Sequence, residues 1–587
     1  MPLAPAQALD GFVLTAPGAD KALTDRLRAA SLVADAERSG QTDSQSVFAA
    51  ARADYARLIG ALYAEGYYSG VIHIRIDGRE VAEIPPLDAP ATIREVEISV
   101  TPGPRFTFSQ ARMKPYARGT RLPPAYGDTK VARSGAIVDA ADAGVEGWRN
   151  IGHAKAEIAG QNITADHRNA TLSSEILLEP GPRLRFGRLS MSGYERMKPE
   201  RIARIAGFPT GEVFDPKALD KAATRLRRTG AFRSVALTEA ERPGPDGTLD
   251  IGLVVAEEKL RRFGFGAEVS SSEGLSLSGY WLHRNLFGGA ERLRVDGAFD
   301  RIGGQDVDGI GYDFGVRIDR PATPVTDASA FVEVRAARRE IVDLTVDGFE
   351  FSFGLTREFG DHISAEAGIS YITATAKDAA GSVDYEAVAL PISITWDNRD
   401  KPLDARKGYY LDAGVTPFHG FGTTGSGGQI KADARAYRAF GTDERFVLAG
   451  RLQLGTVIGS SLAETPPDYL FWSGGGGTVR GQPYQSLGVP LARTPTITVE
   501  TGGLSFAGLS GEFRANITEK IGAVAFYDAG FVSDEELFGG NGEWHAGAGL
   551  GLRYITGIGP IRVDVGMPVS GPTNDGVQIY VGIGQAF

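Results

Sequence analysis

The chain has 587 residues, enough for one large barrel with smaller units or for several domains, and its net charge of −11 argues against a general nucleic-acid binder. It has no cysteine, which excludes disulfides, thiolate catalysis and cysteine-ligated zinc. No run of about 18 apolar residues occurs, so no membrane-spanning helix is expected, which leaves a soluble protein or a transmembrane β-barrel with its weaker strand signal.

At the N-terminus no charged region or apolar core of an export signal is visible. Ala6-Gln7-Ala8 nevertheless has the small-x-small form of a cleavage site, and residues 1–9 are read as a residual export segment. A repeat governs the rest of the first third. Pro102-Gly103-Pro104-Arg105-Phe106 recurs as Pro180-Gly181-Pro182-Arg183-Leu184, 78 residues on (180 − 102). Each copy follows an alternating strand pattern, over residues 96–100 and 172–178. A second register agrees. Gly152 and Gly230, also 78 apart, stand after helical stretches and before strands at 154–158 and 235–237, where glycine makes the expected left-handed helix stop.

The period sets three units, at 10–101, 102–180 and 181–259, each reading strand, helix, helix, strand, strand. In the first unit one helix presents Leu23, Leu27, Ala30 and Leu32 on its apolar face, and the next presents Phe48, Tyr55, Leu58, Ile59 and Leu62. In the third unit Asp215-Pro216 starts a helix, with Asp as cap and Pro in the first turn.

From about Arg262 the pattern changes to strands of about ten residues with strict alternation. Val388, Leu390, Ile392, Ile394 and Trp396 share one face. Ile430, Ala432, Ala434 and Ala436 oppose Lys431, Asp433 and Arg435, and Ile561, Val563, Val565, Met567 and Val569 oppose Arg562 and Asp564. A sandwich would bury the apolar face against a second sheet, whereas a membrane barrel turns it to lipid and keeps the charges in a wet lumen. Roughly sixteen such strands favour the barrel, over residues 260–587, an even number as bacterial outer-membrane barrels have. The fold class is therefore α+β repeats followed by an all-β, 16-stranded antiparallel transmembrane barrel.

One connection in the barrel, residues 460–498, is too long to be an idle loop. It carries four glycines, 474–477, read as conformational slack, and then Val479-Arg480-Gly481-Gln482, with Tyr484 two residues on. An arginine inside a barrel must find an acceptor. Further along, alternation over 523–531 turns Phe526 and Asp528 to the lumen and Tyr527 to lipid. No catalytic constellation stands out, with no nucleophile elbow at Ser473, no phosphate loop, no metal-ligand spacing and no cofactor site.

Val479-Arg480-Gly481 resembles the Val-Arg-Gly-aromatic signature of the Omp85 superfamily, with Gln482 where that family has Tyr or Phe and Tyr484 as a stand-in for the ring. Asn285-Leu286-Phe287-Gly288 resembles the family's early hairpin, and Asp397-Asn398-Arg399-Asp400 with Pro402 and Gly408 its mid-barrel turn. Phe526-Tyr527-Asp528-Ala529-Gly530 resembles its Phe-x-Asp-x-Gly strand motif. The alternating end with terminal Phe587 resembles the barrel-recognition signal, and the three N-terminal units resemble POTRA domains, which bind unfolded chains and periplasmic partners by adding a strand to a sheet edge.

The resemblance implies a Gram-negative outer-membrane location with periplasmic N-terminal domains, and a loop folded into the lumen so that Arg480 meets Asp528, flanked by Phe526 and Gly530. The alternative is an Arg480 held by backbone carbonyls and an Asp528 that only hydrates the lumen. Three units and this length resemble the outer-membrane subunit of the translocation and assembly module, the TamA type. Its implied work is to insert or secrete β-barrel clients such as autotransporters through a lateral seam, without nucleotide hydrolysis and so not as an enzyme. The implied partners are outer-membrane lipid, unfolded barrel polypeptides and a periplasm-spanning, inner-membrane-anchored subunit. The alternatives are a two-partner-secretion-like translocation pore, the central barrel-assembly subunit, and a periplasmic scaffold with the barrel as its anchor. Glycines weaken the first and last strands at Gly264, Phe265, Gly266 and Ala267 and at Gly582, Gly584, Ala586 and Phe587, so the seam pairing there is expected to be short and openable.

Overall fold

The first module forms where amphipathic helices cover one face of a short sheet. In the computed structural model its strands pair in the order Gly11–Thr15, Glu95–Thr101, Val71–Ile76, Arg79–Glu80. The residues described are 11–40, 43–271, 274–304, 309–341, 344–557, 559–572 and 576–587, so the export remnant read at 1–9 lies outside them. Leu23, Leu27, Phe48, Leu58 and Leu62 form a core with Ile74, Val96 and Ile98. The first expected helix is divided into Lys21–Ala30 and Leu32–Ser39, with Ser31 between them. Asp54, wholly buried on helix Ser44–Ala64, holds that junction by accepting from the Ser31 hydroxyl at 2.6 Å and the Leu32 amide at 2.7 Å. Leu58 and Leu62, one turn apart, occupy the inward row of this helix, which leaves Ile59 exposed.

The second module pairs its strands in the order Thr107–Lys114, Thr171–Glu179, Glu157–Asp166 under a single helix, Ser134–Arg149. A further helix was expected ahead of it. Pro115, Gly119, Pro123, Pro124 and Gly127 interrupt that stretch, and each proline removes a helical donor. The strand expected from residue 154 starts at Glu157. The third module has helices Pro199–Ala206 and Pro216–Arg228 and strands Arg185–Ser192, Phe232–Glu239 and Thr248–Glu257. Asp215 accepts from the Lys217 amide at 3.0 Å at the head of the second helix.

The chain divides into two compact units. One holds residues 1–190, 209–220 and 238–252, and the other holds 191–208, 221–237 and 253–587. In the second unit, helix Pro199–Ala206 and the last turns of helix Pro216–Arg228 rest on barrel turns. Arg225 makes paired bonds to Asp327 at 2.6 and 2.7 Å, and Arg228 reaches Asp361 at 2.9 Å.

The barrel closes through sixteen antiparallel strands, from Arg261–Ser270 to Gln578–Ile583. The eighth is broken into Gly381–Ala389 and Ile392–Asp397 because Pro391, between them, has no N–H to give the ladder. Both pieces pair with the same neighbours, Ile363–Asp378 and Gly408–Phe421. Leu390, Ile392, Ile394 and Trp396 are exposed on the outside, as are Ile561, Val563, Val565, Met567 and Val569, while Arg562 and Asp564 are buried on the inside. In the mid-barrel turn Asp397 pairs with Arg399 at 2.7 Å, Asn398 accepts from the Tyr409 amide at 2.6 Å, and Asp400 accepts from the Arg406 amide at 2.9 Å. In the early hairpin Asn285 accepts from the Ala290 amide at 3.0 Å. These side chains fold the turns.

Candidate functional site: a loop tip seated against the barrel wall and its seam

The long connection joins the eleventh strand, Phe446–Ile458, to the twelfth, Ser505–Asn516. It runs beyond the expected limit of 498, because Val489–Thr494 and Ile497–Thr501 form a hairpin of their own outside the barrel ladder. Its neck is closed by reciprocal backbone bonds of 3.0 Å between Ser473 and Leu487. The glycine run is folded, not slack. The Thr478 hydroxyl accepts from the Gly474 amide at 2.8 Å, and the Gly475 amide donates to the Gln482 carbonyl at 3.1 Å. Gly474 and Gly475 adopt φ of 110° and 86°, which disfavour a side chain.

This turn drives Val479, Arg480 and Gln482 into the wall, where each is at most 2% exposed. The Arg480 guanidinium grips Asp528 with two bonds, Nε–Oδ2 at 2.8 Å and Nη2–Oδ1 at 3.1 Å, and the Arg480 amide donates to the same carboxylate at 3.1 Å. Its Nη1 donates to Glu512 at 2.6 Å and reaches Asp564 at 3.4 Å. The Phe526 ring lies 3.8 Å from the guanidinium carbon, a cation–π contact on the remaining face. Three carboxylates around one cation are tolerable because Arg514 pairs with Glu512 at 2.7 Å and Arg553 with Asp564 at 2.5 Å. Every buried charge here thus has an opposite neighbour.

Close approach depends on missing side chains. A Cβ on Gly481 would sit 2.6 Å from the Met567 carbonyl oxygen, and Gly481 has φ of 93°. A Cβ on Gly547 would overlap the Arg480 carbonyl, and one on Gly530 would overlap the Ser473 hydroxyl. Gln482 stands where an aromatic was expected, and its amide donates to the carbonyls of Ala546 at 2.8 Å and Ser570 at 3.0 Å. Tyr484 does not supply that ring to Arg480. It lies under Arg301, with 5.2 Å between guanidinium carbon and ring centre. Glu512, Asp564, Gly547 and Tyr580 belong to the site and were not singled out from the sequence. The Tyr580 hydroxyl, on the last strand, accepts from the Gly481 amide at 3.1 Å.

Tyr580 brings the loop tip to the seam. Among the described residues the first and last strands are in register only at Val269 with Val581 and Ser270 with Tyr580, and the Ser271 amide continues to the Ile579 carbonyl at 3.1 Å. The first strand is in register with the second along all of Arg261–Ser270. Gly264, Phe265, Gly266 and Ala267 therefore have no register partner across the seam, and Phe265 is 87% exposed. The short pairing expected at these residues and at Gly582 and Gly584 does not occur. Gly582 is in register only with Arg562, and Gly584, past the end of the strand, has φ of 96°. The chain end then turns inward. The Gln585 amide donates to the Leu403 carbonyl at 3.0 Å, and Phe587 is buried with Ala405, Tyr437 and Ala449. Arg514 donates to the Phe587 carbonyl at 3.0 Å. By leaving the ladder, residues 584–587 withdraw the partners that this register would set against residues 263–266, and no register pair crosses the seam anywhere from 261 to 268. Glu268, at the inner end of that run, pairs with Arg562 at 2.6 Å.

A family model described as the Omp85 superfamily domain matches residues 285–587, and one described as POTRA, surface antigen variable number repeat, matches residues 184–258. Among solved structures the chain is similar to BamA from Haemophilus ducreyi lacking POTRA domains 1–3, with 15% identity and a TM-score of 0.62 over 81% of this chain and 100% of that one. It is also similar to CdiB from Acinetobacter baumannii, with 13% identity and a TM-score of 0.52 over 82% of this chain and 90% of that one.

Proposed function

The chain belongs to the Omp85 superfamily, and from this we propose that it is an outer-membrane assembly factor whose N-terminal modules lie in the periplasm. It inserts or secretes β-barrel clients, as the TamA type does, by offering them the free edge of its first strand. The observation that carries this reading is the unpaired run at residues 261–268 beside a closure of two register pairs. An unpaired strand edge is a template for another strand. A client hairpin paired there keeps its backbone polar groups satisfied while it passes into lipid. No nucleotide is required, since the new strand pairs drive the step. A steady open pore fits less well, because the loop tip is packed into the barrel wall.

On this reading the N-terminal modules collect unfolded client chains and dock a periplasm-spanning, inner-membrane-anchored subunit. Depletion of the protein followed by a quantitative outer-membrane proteome is expected to remove a subset of barrel proteins, autotransporter-like ones foremost, while lipoproteins stay constant. An unchanged barrel complement, with loss of a single secreted polypeptide, would favour the dedicated translocation pore.

A further inference from the structure

Within the second unit, where helix Pro199–Ala206 meets the barrel turns, lies a cavity of about 400 Å³ lined by Lys198, Arg201 and Arg320, by Glu200 and Glu291, and by Phe287. Arg201 is 8% exposed, yet it gives Nη2 only to the neutral carbonyls of Pro321 at 2.6 Å and Gly289 at 3.5 Å. Its Nε is buried without a hydrogen-bond partner. Glu291 lies close enough to attract Arg201 but makes no hydrogen bond to it, accepting from the Gly289 amide at 2.8 Å and pairing with Arg320 at 3.6 Å. The cavity opens at the start of the helix, where Pro199 has no amide proton and the Arg201 and Ile202 amides already donate to the Lys198 carbonyl at 3.0 and 3.1 Å, so the guanidinium is the group with a donor to give. A buried guanidinium with an idle donor calls for an anion.

The position of the cavity selects which anion. On strand Gly311–Pro321, Phe314 and Val316 are exposed on the lipid face, and Ile318 and Arg320 continue that row to the strand's end. Arg320 is thus the first charge past the apolar band, and Phe287, 63% exposed, stands beside it in the neighbouring turn. Three cations less two carboxylates leave a net charge of +1, complementary to one phosphodiester.

We propose that this cavity seats the phosphodiester headgroup of an anionic phospholipid of the periplasmic leaflet, with Arg201, Lys198 and Arg320 on the phosphate and the acyl chains along Phe287 and Ile318. The site would fix the third module's helix to the membrane surface as well as to the barrel.

The test is native mass spectrometry of the full-length chain in detergent with phosphatidylglycerol, phosphatidylcholine or inorganic phosphate as probes. Wild type is expected to retain phosphatidylglycerol in preference to phosphatidylcholine and to keep it in millimolar inorganic phosphate. Arg201→Gln and Arg320→Gln are each expected to weaken that retention about tenfold, the scale of one charge-assisted hydrogen bond. Arg320 is exposed on the outer rim, so Arg320→Gln reports on the site even if Arg201→Gln misfolds. Equal retention of the two lipids, unchanged retention in Arg320→Gln, or displacement by inorganic phosphate would overturn the assignment.

Discussion

Arg480→Ala is expected to free the loop tip and abolish client assembly, and to do more damage than Asp528→Ala. The asymmetry follows from the partners each loss leaves behind. Without Arg480, Asp528 is a buried carboxylate with no cation, at a cost of about 3–5 kcal/mol. Glu512 and Asp564 suffer less, because Arg514 and Arg553 remain against them. Without Asp528, Arg480 keeps Glu512 at 2.6 Å, Asp564 at 3.4 Å and the Phe526 ring. The expected loss is then about 1.5–3 kcal/mol, that of charged hydrogen bonds. The double variant should be no worse than Arg480→Ala, since it removes the stranded carboxylate along with its partner. Protease accessibility of residues 459–504 and the urea midpoint of the folded barrel read these differences. Additive losses would mean that the two side chains do not act as a pair.

The second large effect comes from a residue with no side chain at all. Gly547→Val should expel the loop tip as completely as Arg480→Ala, because its Cβ falls on the Arg480 carbonyl and backbone cannot move aside as a side chain can. The barrel itself should still fold, with full heat-modifiable mobility. Gly511→Val is the matched control. Gly511 is exposed on the outer face of the twelfth strand and a Cβ there meets nothing within 4 Å, so the loop should stay protected. If Gly547→Val leaves the loop as resistant to protease as wild type, the tip is not seated against the fourteenth strand as described.

The barrel was legible because period-two alternation survives even a break, as the outward row from Leu390 to Trp396 shows on either side of Pro391. The same alternation was enough to face Phe526 and Asp528 inward. What it could not distinguish was which of many inward carboxylates would meet a loop from far along the chain. Glu512 and Asp564 have the same local pattern as charges that only face water. Gly547 gave no cue either, since its role is set by the loop that presses on it, whereas Gly530 was reached only through the strand motif that it ends. The inward turn of the last residues was hidden for a related reason. Alternation continues to Ile583, and nothing near Phe587 announces the guanidinium of Arg514, 73 residues away, that receives its carbonyl. In the second module the signal was present and outweighed. Pro115, Pro123 and Pro124 speak against a helix, but the 78-residue period suggested one by analogy with its neighbours.

The claim that clients pass through the seam is tested most directly by closing it. Val269 and Val581 face each other in register on the outer surface, and the chain has no native cysteine, so Val269→Cys with Val581→Cys gives a disulfide with no competing thiol. Client insertion would be followed in reconstituted vesicles before oxidation, after oxidation and after reduction. Passage through the seam requires that the oxidised barrel stay folded yet insert no client, and that reduction restore insertion. Normal insertion by the fully cross-linked protein would contradict it.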